Sequence, residues 1–168
     1  MGVQAINRID LRPVEAEDHL GVSILLTTVF DSPEPARMLV KLRDHQEVAM
    51  EVVGQHEGRI YGYLAMTRHP RPANWWGLTL VAISPAYQSA GLGSRLIRHG
   101  LDLARRAGAP AVTVQGAPEY YKRFGFSTDA ARNLRISHGA DMTMVYPLEK
   151  GTAGYDGTLT FPSAYAHF

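Results

Sequence analysis

Residues 88–94 read Gln-Ser-Ala-Gly-Leu-Gly-Ser and follow an apolar run, WWGLTLVAI, at residues 75–83. From Gly91 onward, Leu92, Leu96, Leu103 and Ala107 recur at helical spacing. Glycines at the start of a helix let an anion approach N–H groups that have no partner within the helix, at the positive end of its dipole. A phosphate or pyrophosphate fits such a site best. A conformational turn would also use two glycines, so the loop alone names no ligand. Two familiar phosphate loops fail on the letters. A dinucleotide fingerprint needs glycine where Leu96 stands, and a nucleotidase loop needs Gly-Lys-Ser or Gly-Lys-Thr where the chain has Gly93-Ser94-Arg95.

A second chemical segment is EYYKRFGF at residues 119–126, with two adjacent phenols ahead of a Gly-Phe stop. Other chemistries are excluded by composition. The chain has 0 cysteines, which removes disulfides, thiolate metal sites, iron–sulfur clusters and a cysteine nucleophile. None of its 7 histidines forms HExxH or another spaced ligand set, so no metal site is expected. With 17 basic and 16 acidic side chains the formal net charge is +1, which argues against bulk attraction to nucleic acid or anionic lipid. Any anion site must be local.

The surrounding pattern suggests what positions these residues. Residues 7–14 alternate as a short strand, and 15–30 follow a helical period through Leu20, Ile24, Leu25 and Val29. Pro35 suits the first turn of a second helix that buries Met38, Leu39 and Leu42. Residues 47–53 and 59–67 form a hairpin in which Ile60, Leu64 and Met66 share one face. Residues 75–83 form a fourth strand, in which Gly77 marks a bulge or a close backbone approach. Residues 91–107 form a helix with Gly108 as its stop, and 111–115 a fifth strand. A compact helix runs from Pro118 to Gly125, and 141–148 is a last strand before a tail at 149–168. Hairpin and crossover connections together give a mixed α/β sheet and not an unbroken βαβ repeat. The 168 residues fit one domain, 1–168. No strictly apolar run exceeds four residues, so neither a membrane span nor a signal-peptide core is expected, and Ile6 disfavours myristoylation. A soluble, cytoplasmic protein is the expectation.

Gln88, Gly91 and Gly93 give Q-x-x-G-x-G, which resembles the acyl-CoA pyrophosphate motif of the GCN5-related N-acetyltransferases (GNAT). EYYKRFGF resembles the second marker of that superfamily, and Gln88 precedes Tyr121 by 33 residues with one helix and one strand between them. The likeness extends over essentially the whole chain. The short GAPEYYKRFGF turn and the tail GTLTFPSAYAHF are similar to the small YhbS-like bacterial branch.

The resemblance implies a GNAT-like acyl-CoA N-acyltransferase fold whose fourth and fifth strands, 75–83 and 111–115, splay to admit the pantetheine arm of acetyl-CoA. It assigns pantetheine contacts to main-chain groups of Val81 and Ile83. It assigns the pyrophosphate to the N–H groups of Ser89, Ala90, Gly91, Leu92, Gly93 and Ser94, with Gln88 at the loop entrance. Arg95 and Arg98 are candidates for the 3′-phosphate. Tyr121 matches the family tyrosine near the thioester sulfur, where a phenol serves as general acid within about 2.6–3.2 Å. Tyr120, about 100° away around a helix, and Phe124 are read as packing residues.

Many GNAT enzymes carry a catalytic glutamate on the fourth strand, and WWGLTLVAI contains no carboxylate. Glu51, Glu119 and a water relay stay open as substitutes. Trp75 and Trp76 point to opposite faces, so only one can line an acceptor pocket. His167 and Tyr165 would contact the acceptor if the tail folds over the cleft. The implied activity is acetyl-CoA-dependent N-acetyl transfer, made directly to the amine of a small molecule or peptide, with no metal, no nucleic acid and no membrane, and with a homodimer left open. A noncatalytic acyl-CoA-binding or regulatory module on the same scaffold is the alternative, because fold alone does not fix activity.

Overall fold

The computed structural model describes residues 7–166. Six strands form one mixed sheet in the order β1(Asp10–Pro13), β2(Val48–His56), β3(Arg59–Arg68), β4(Trp76–Ile83), β5(Ala111–Gln115) and β7(Thr143–Pro147). All neighbours run antiparallel except β4 and β5. The β2–β3 turn places Glu57 and Gly58 at φ of 49° and 77°, the left-handed pair that suits a tight hairpin. A separate two-stranded piece, β6(Leu134–Arg135) with β8(Gly157–Thr158), is not legible in the sequence, because two-residue strands carry no periodic signal.

One face of the sheet carries α3(Leu92–Arg106), whose Leu92, Leu96 and Ile97 are fully buried against Leu64, Met66 and Val112. Leu101 and Ala104 continue that face, where the helical spacing predicts Leu103 and Ala107. The other face carries α1(His19–Phe30) and α2(Glu34–Asp44), which bury Val22, Leu26, Leu39 and Leu42 against Val53 and Tyr63. On α1 the expected stripe is rotated: Leu20 and Ile24 are 73% and 59% exposed, while Val22, Leu25 and Leu26 are buried. The helix is apolar on nearly every side, so its period does not fix which face turns inward. The expected start at residue 15 is a 3-10 turn at Ala16–Asp18, and Asp18 is held by Arg12 at 2.7 and 2.9 Å.

Ile60 also departs from the expected face. Gly62 pairs with Gly54 but Ile60 pairs with Gln55, which leaves Tyr61 as an extra residue on β3. One inserted residue reverses the alternation beyond it. Ile60 therefore packs with the α1 layer, while Leu64 and Met66 lie under α3. Gly77 is a close approach: a Cβ there would stand 2.9 Å from His69 Nε2.

The segment after β8 returns across the sheet. Thr160 bridges to Arg71, Phe161 stacks on Tyr165 with ring centroids 4.5 Å apart, and the Ala166 N–H lies 3.1 Å from Met38 Sδ on α2. His69 anchors this path, with Nδ1 at 2.9 Å from the Thr160 carbonyl and Nε2 at 2.6 Å from Thr113 Oγ1. A carbonyl can only accept, so Nδ1 carries the proton and Nε2 accepts from the Thr113 hydroxyl. Among the described residues, no helix is long and apolar enough to cross a membrane.

Burial lowers the His69 pKa to about 4 from an ordinary 6.5. The unfolded chain therefore binds a proton below about pH 6.5 that the folded chain refuses, so stability falls as the pH drops toward 4. At about 1.4 kcal/mol per pKa unit, the loss from this group approaches roughly 3 kcal/mol. Urea unfolding between pH 7 and 4 should show that decline, and His69→Gln should flatten it.

Candidate active site

β4 and β5 pair at three positions only, Trp76 with Val112, Gly77 with Thr113 and Leu78 with Val114. β4 stays paired with β3 as far as Ile83. The strands part at Thr79, an extra residue on β4: Ala65 pairs with Leu80 and Met66 with Leu78. A bulge of this kind bends its strand and ends regular pairing. The Thr79 hydroxyl is engaged within the sheet, 2.7 Å from Thr67 Oγ1 and 3.2 Å from the Gly77 carbonyl. Past it lies a cavity of about 170 Å³ whose walls include Thr79, Val81, Gln115, Tyr121 and Tyr165. Every described side chain that lines it is uncharged.

Tyr121 closes one side. Its ring lies against Gly116, where a Cβ would meet Tyr121 Cε2 at 2.6 Å, and its edge meets Phe126. Burial first, then the neighbouring Tyr120 phenol, raises the Tyr121 pKa, which keeps the group protonated at neutral pH. Its hydroxyl makes no hydrogen bond among the described residues.

A second groove, of about 490 Å³, continues from Ile83 to the start of α3 and is lined by Gln88, Gly91, Gly93, Ser94, Tyr120 and Arg123 among others. Gly91 sits at φ 96° as the helix N-cap, with no side-chain cap on the first-turn N–H groups. Only glycine adopts that conformation without strain. A Cβ on Gly93 would stand 3.1 Å from the Tyr120 hydroxyl, so the small residue leaves the helix start open. The Gln88 side chain donates to the Ile83 carbonyl at 3.0 Å and ties the loop to the end of β4.

The expected site residues therefore divide between two successive stretches along β4 and the loop that follows it. Val81 and Tyr121 line the inner cavity, and Ile83, Gln88, Ser89, Gly91, Gly93 and Ser94 line the outer groove. Leu92 is fully buried and Ala90 packs on the core, so either can offer only its backbone to the groove. Arg95 donates to the Ile9 carbonyl at 2.7 Å, and Arg98 lies over the Phe124 ring at 5.0 Å. The guanidinium beside the groove is Arg123, 4.5 Å from the Tyr120 ring centroid. Tyr120 is thus a wall of the groove and not packing alone.

The choice of base narrows. Glu51 is gripped by Arg43 at 2.7 Å and by the Tyr63 hydroxyl at 2.6 Å, outside the cavity, and Glu119 is exposed and lines neither stretch. Neither tryptophan lines the cavity: Trp75 is buried beside Tyr155 and Trp76 packs on the α3 layer. Sequence reading misses Thr79, Gln115 and Arg123. A bulge has no letter pattern, and the other two acquire their positions from strands and turns distant in the chain. Tyr165 lines the cavity, and His167 lies outside the described residues. No group of three or more His, Asp or Glu among the described residues could hold a metal ion.

A mixed sheet that splits beside an uncapped helix start is the architecture of acyl-CoA N-acyltransferases. A family model described as "Acetyltransferase (GNAT) family" matches residues 20–126, and the chain belongs to that family. It is 31% identical over 111 residues to the "Uncharacterized N-acetyltransferase YjhQ" of Escherichia coli, a match covering 60% of this chain and 59% of that relative. The chain thus spans under two thirds of that curated relative's length. The E. coli GNAT protein YhbS, solved in complex with CoA, superposes with a TM-score of 0.88 at 26% identity, covering 96% of this chain and 93% of that one. A Brucella melitensis GNAT acetyltransferase solved with acetyl-CoA shares the fold, with a TM-score of 0.79 at 22% identity over 93% and 97% of the two chains.

Because the Tyr121 hydroxyl has no hydrogen-bond partner among the described residues, Tyr121→Phe should shift unfolding free energy by no more than about 0.5 kcal/mol, read from urea midpoints. A larger loss would reveal a structural partner for that hydroxyl.

Proposed function

We propose that the protein is an acetyl-CoA-dependent N-acetyltransferase that passes the acetyl group directly to a primary amine. The observation that carries this reading is the unpaired β4 edge beyond Leu78, which leads from Tyr121 to the uncapped N-terminus of α3. The donor set suits a long thioester with a pyrophosphate. Strand-edge groups of Val81 and Ile83 can receive an extended arm as strand addition does. First-turn N–H groups at Leu92, Gly93 and Ser94 face the charge that a helix start favours. Arg123, with its side chain on the groove wall, adds a cation.

Acetyl-CoA supplies an acyl group already activated as a thioester. The cavity holds an amine against that group and so saves the entropy of a bimolecular encounter. A C–N bond forms, the C–S bond breaks, Tyr121 Oη gives a proton to the leaving sulfur, and the proton released by the amine returns to Tyr121 through water. Burial of Tyr121 keeps that proton in place until it is needed. With no carboxylate among the described residues that line the cavity, the amine must arrive unprotonated, which is easier for an α-amine near pKa 7.7–8.0 than for a lysine near 10.4. A bacterial, cytoplasmic setting belongs to this reading and draws on the bacterial sources of the relatives.

The uncharged cavity is also the one observation that favours a noncatalytic acyl-CoA-binding role. Thiol release from acetyl-CoA across an amine panel separates the two: turnover supports the enzyme, and tight CoA binding without any accepted amine supports the module. Tyr121→Phe should lower single-turnover acetyl transfer by roughly 10²-fold or more while leaving CoA affinity within twofold. Gly93→Val should act oppositely, weakening CoA binding at least about tenfold in calorimetry, since its side chain crowds the Tyr120 hydroxyl and covers the helix start. Failure of CoA to bind or to raise the unfolding temperature would overturn both readings.

A further inference from the structure

Gln115, the last residue of β5, has its amide nitrogen fixed by two contacts to the 138–143 segment. Its Nε2 donates to the His138 carbonyl at 2.9 Å and to Thr143 Oγ1 at 3.1 Å, and the Thr143 hydroxyl is itself committed as a donor to the Gly139 carbonyl at 2.7 Å. That arrangement sets the nitrogen toward the 138–143 loop and the oxygen toward the cavity. Tyr165 Oη lies 2.9 Å from Gln115 Oε1, and because an amide oxygen can only accept, the phenol proton points to Gln115. The lone pairs of Tyr165 Oη and the remaining lone pair of Gln115 Oε1 are left as hydrogen-bond acceptors. Both residues line the inner cavity with Tyr121.

The ring of Tyr165 is held independently of that bond. It stacks on Phe161 with an interplanar angle of 17°, and Phe161 packs edge-on to His69 with centroids 4.9 Å apart. Burial pushes the Tyr165 pKa up to about 12, so the phenol stays neutral. Among the described residues, the cavity therefore presents fixed, uncharged acceptors and the Tyr121 donor together with apolar walls such as Leu78 and Val114. A charged group brought into it would lose its water without gaining a counter-charge from any described side chain that lines it, a costly exchange. An amine N–H would find an acceptor.

We infer that Tyr165 and Gln115 are the acceptor-binding pair of this cavity, and that the acceptor is a small primary amine whose body carries no charge. This deepens the acetyltransferase reading and rests on it. The C-terminal segment then acts as part of the substrate site, supplied by chain 50 residues beyond Gln115.

Three amines on one skeleton test the inference: benzylamine, 4-(aminomethyl)benzoate and 1,4-bis(aminomethyl)benzene, each with acetyl-CoA and the intact chain. Benzylamine should have a kcat/KM at least about tenfold above both charged analogues. Tyr165→Phe, which keeps the stacked ring, should raise the benzylamine KM roughly five- to tenfold, the worth of one hydrogen bond, with the KM for acetyl-CoA unchanged. Urea midpoints for the variant check that the fold persists. Equal or better use of a charged analogue, an amine KM unmoved by Tyr165→Phe, or acetyl-CoA binding with none of the three accepted would each overturn the inference. Absence of acetyl-CoA binding, read as no thermal shift, would instead bring down the acetyltransferase reading beneath it.

Discussion

The structure depends on the place where β4 stops pairing with β5. An open edge inside a sheet is costly unless something covers its N–H and C=O groups. Here three parallel pairs hold the strands together up to Leu78 and Val114, and the bulge at Thr79 turns β4 away. The core on both sides makes the split tolerable. α3 packs under one face and α1 with α2 over the other, so the strands can part without exposing the interior. Tyr121, Gln115 and Tyr165 then stand around the gap because the short helix α4(Pro118–Tyr121), the end of β5 and the returning tail all converge there.

Charge is distributed to match. A chain with net charge +1 has no general field to gather a polyanion, so under the proposed function capture falls to oriented backbone groups at the start of α3, helped by Arg123. The strongest acid–base pairs lie elsewhere and serve the fold. Glu51 is committed to Arg43 and Tyr63, and Asp18 to Arg12, which holds its carboxyl below the usual range. His69 is kept neutral between β5 and the tail. The described side chains that line the cavity carry no charge, which turns recognition over to hydrogen bonds of fixed direction.

The letters are sufficient where a local rule governs. Gly91 and Gly93 before an amphipathic run specify an open helix start, and Met38, Leu39 and Leu42 specify the buried side of α2, because backbone conformation and helical period act over a few residues. The rotated face of α1, the reversal at Ile60 and the split at Thr79 escape, since each depends on which partner strand or helix is present. Tyr121 is found through a motif. Gln115 is not, because its role arises from Thr143, His138 and Tyr165, all more than 20 positions away. The sequence by itself thus determined the strands of the large sheet, the helices that pack on it and the anion-ready loop, which are consequences of local propensity and turn chemistry. Only the tertiary structure decided the cavity, its neutrality and the direction of its hydrogen bonds, because those belong to groups that meet only when distant segments pack.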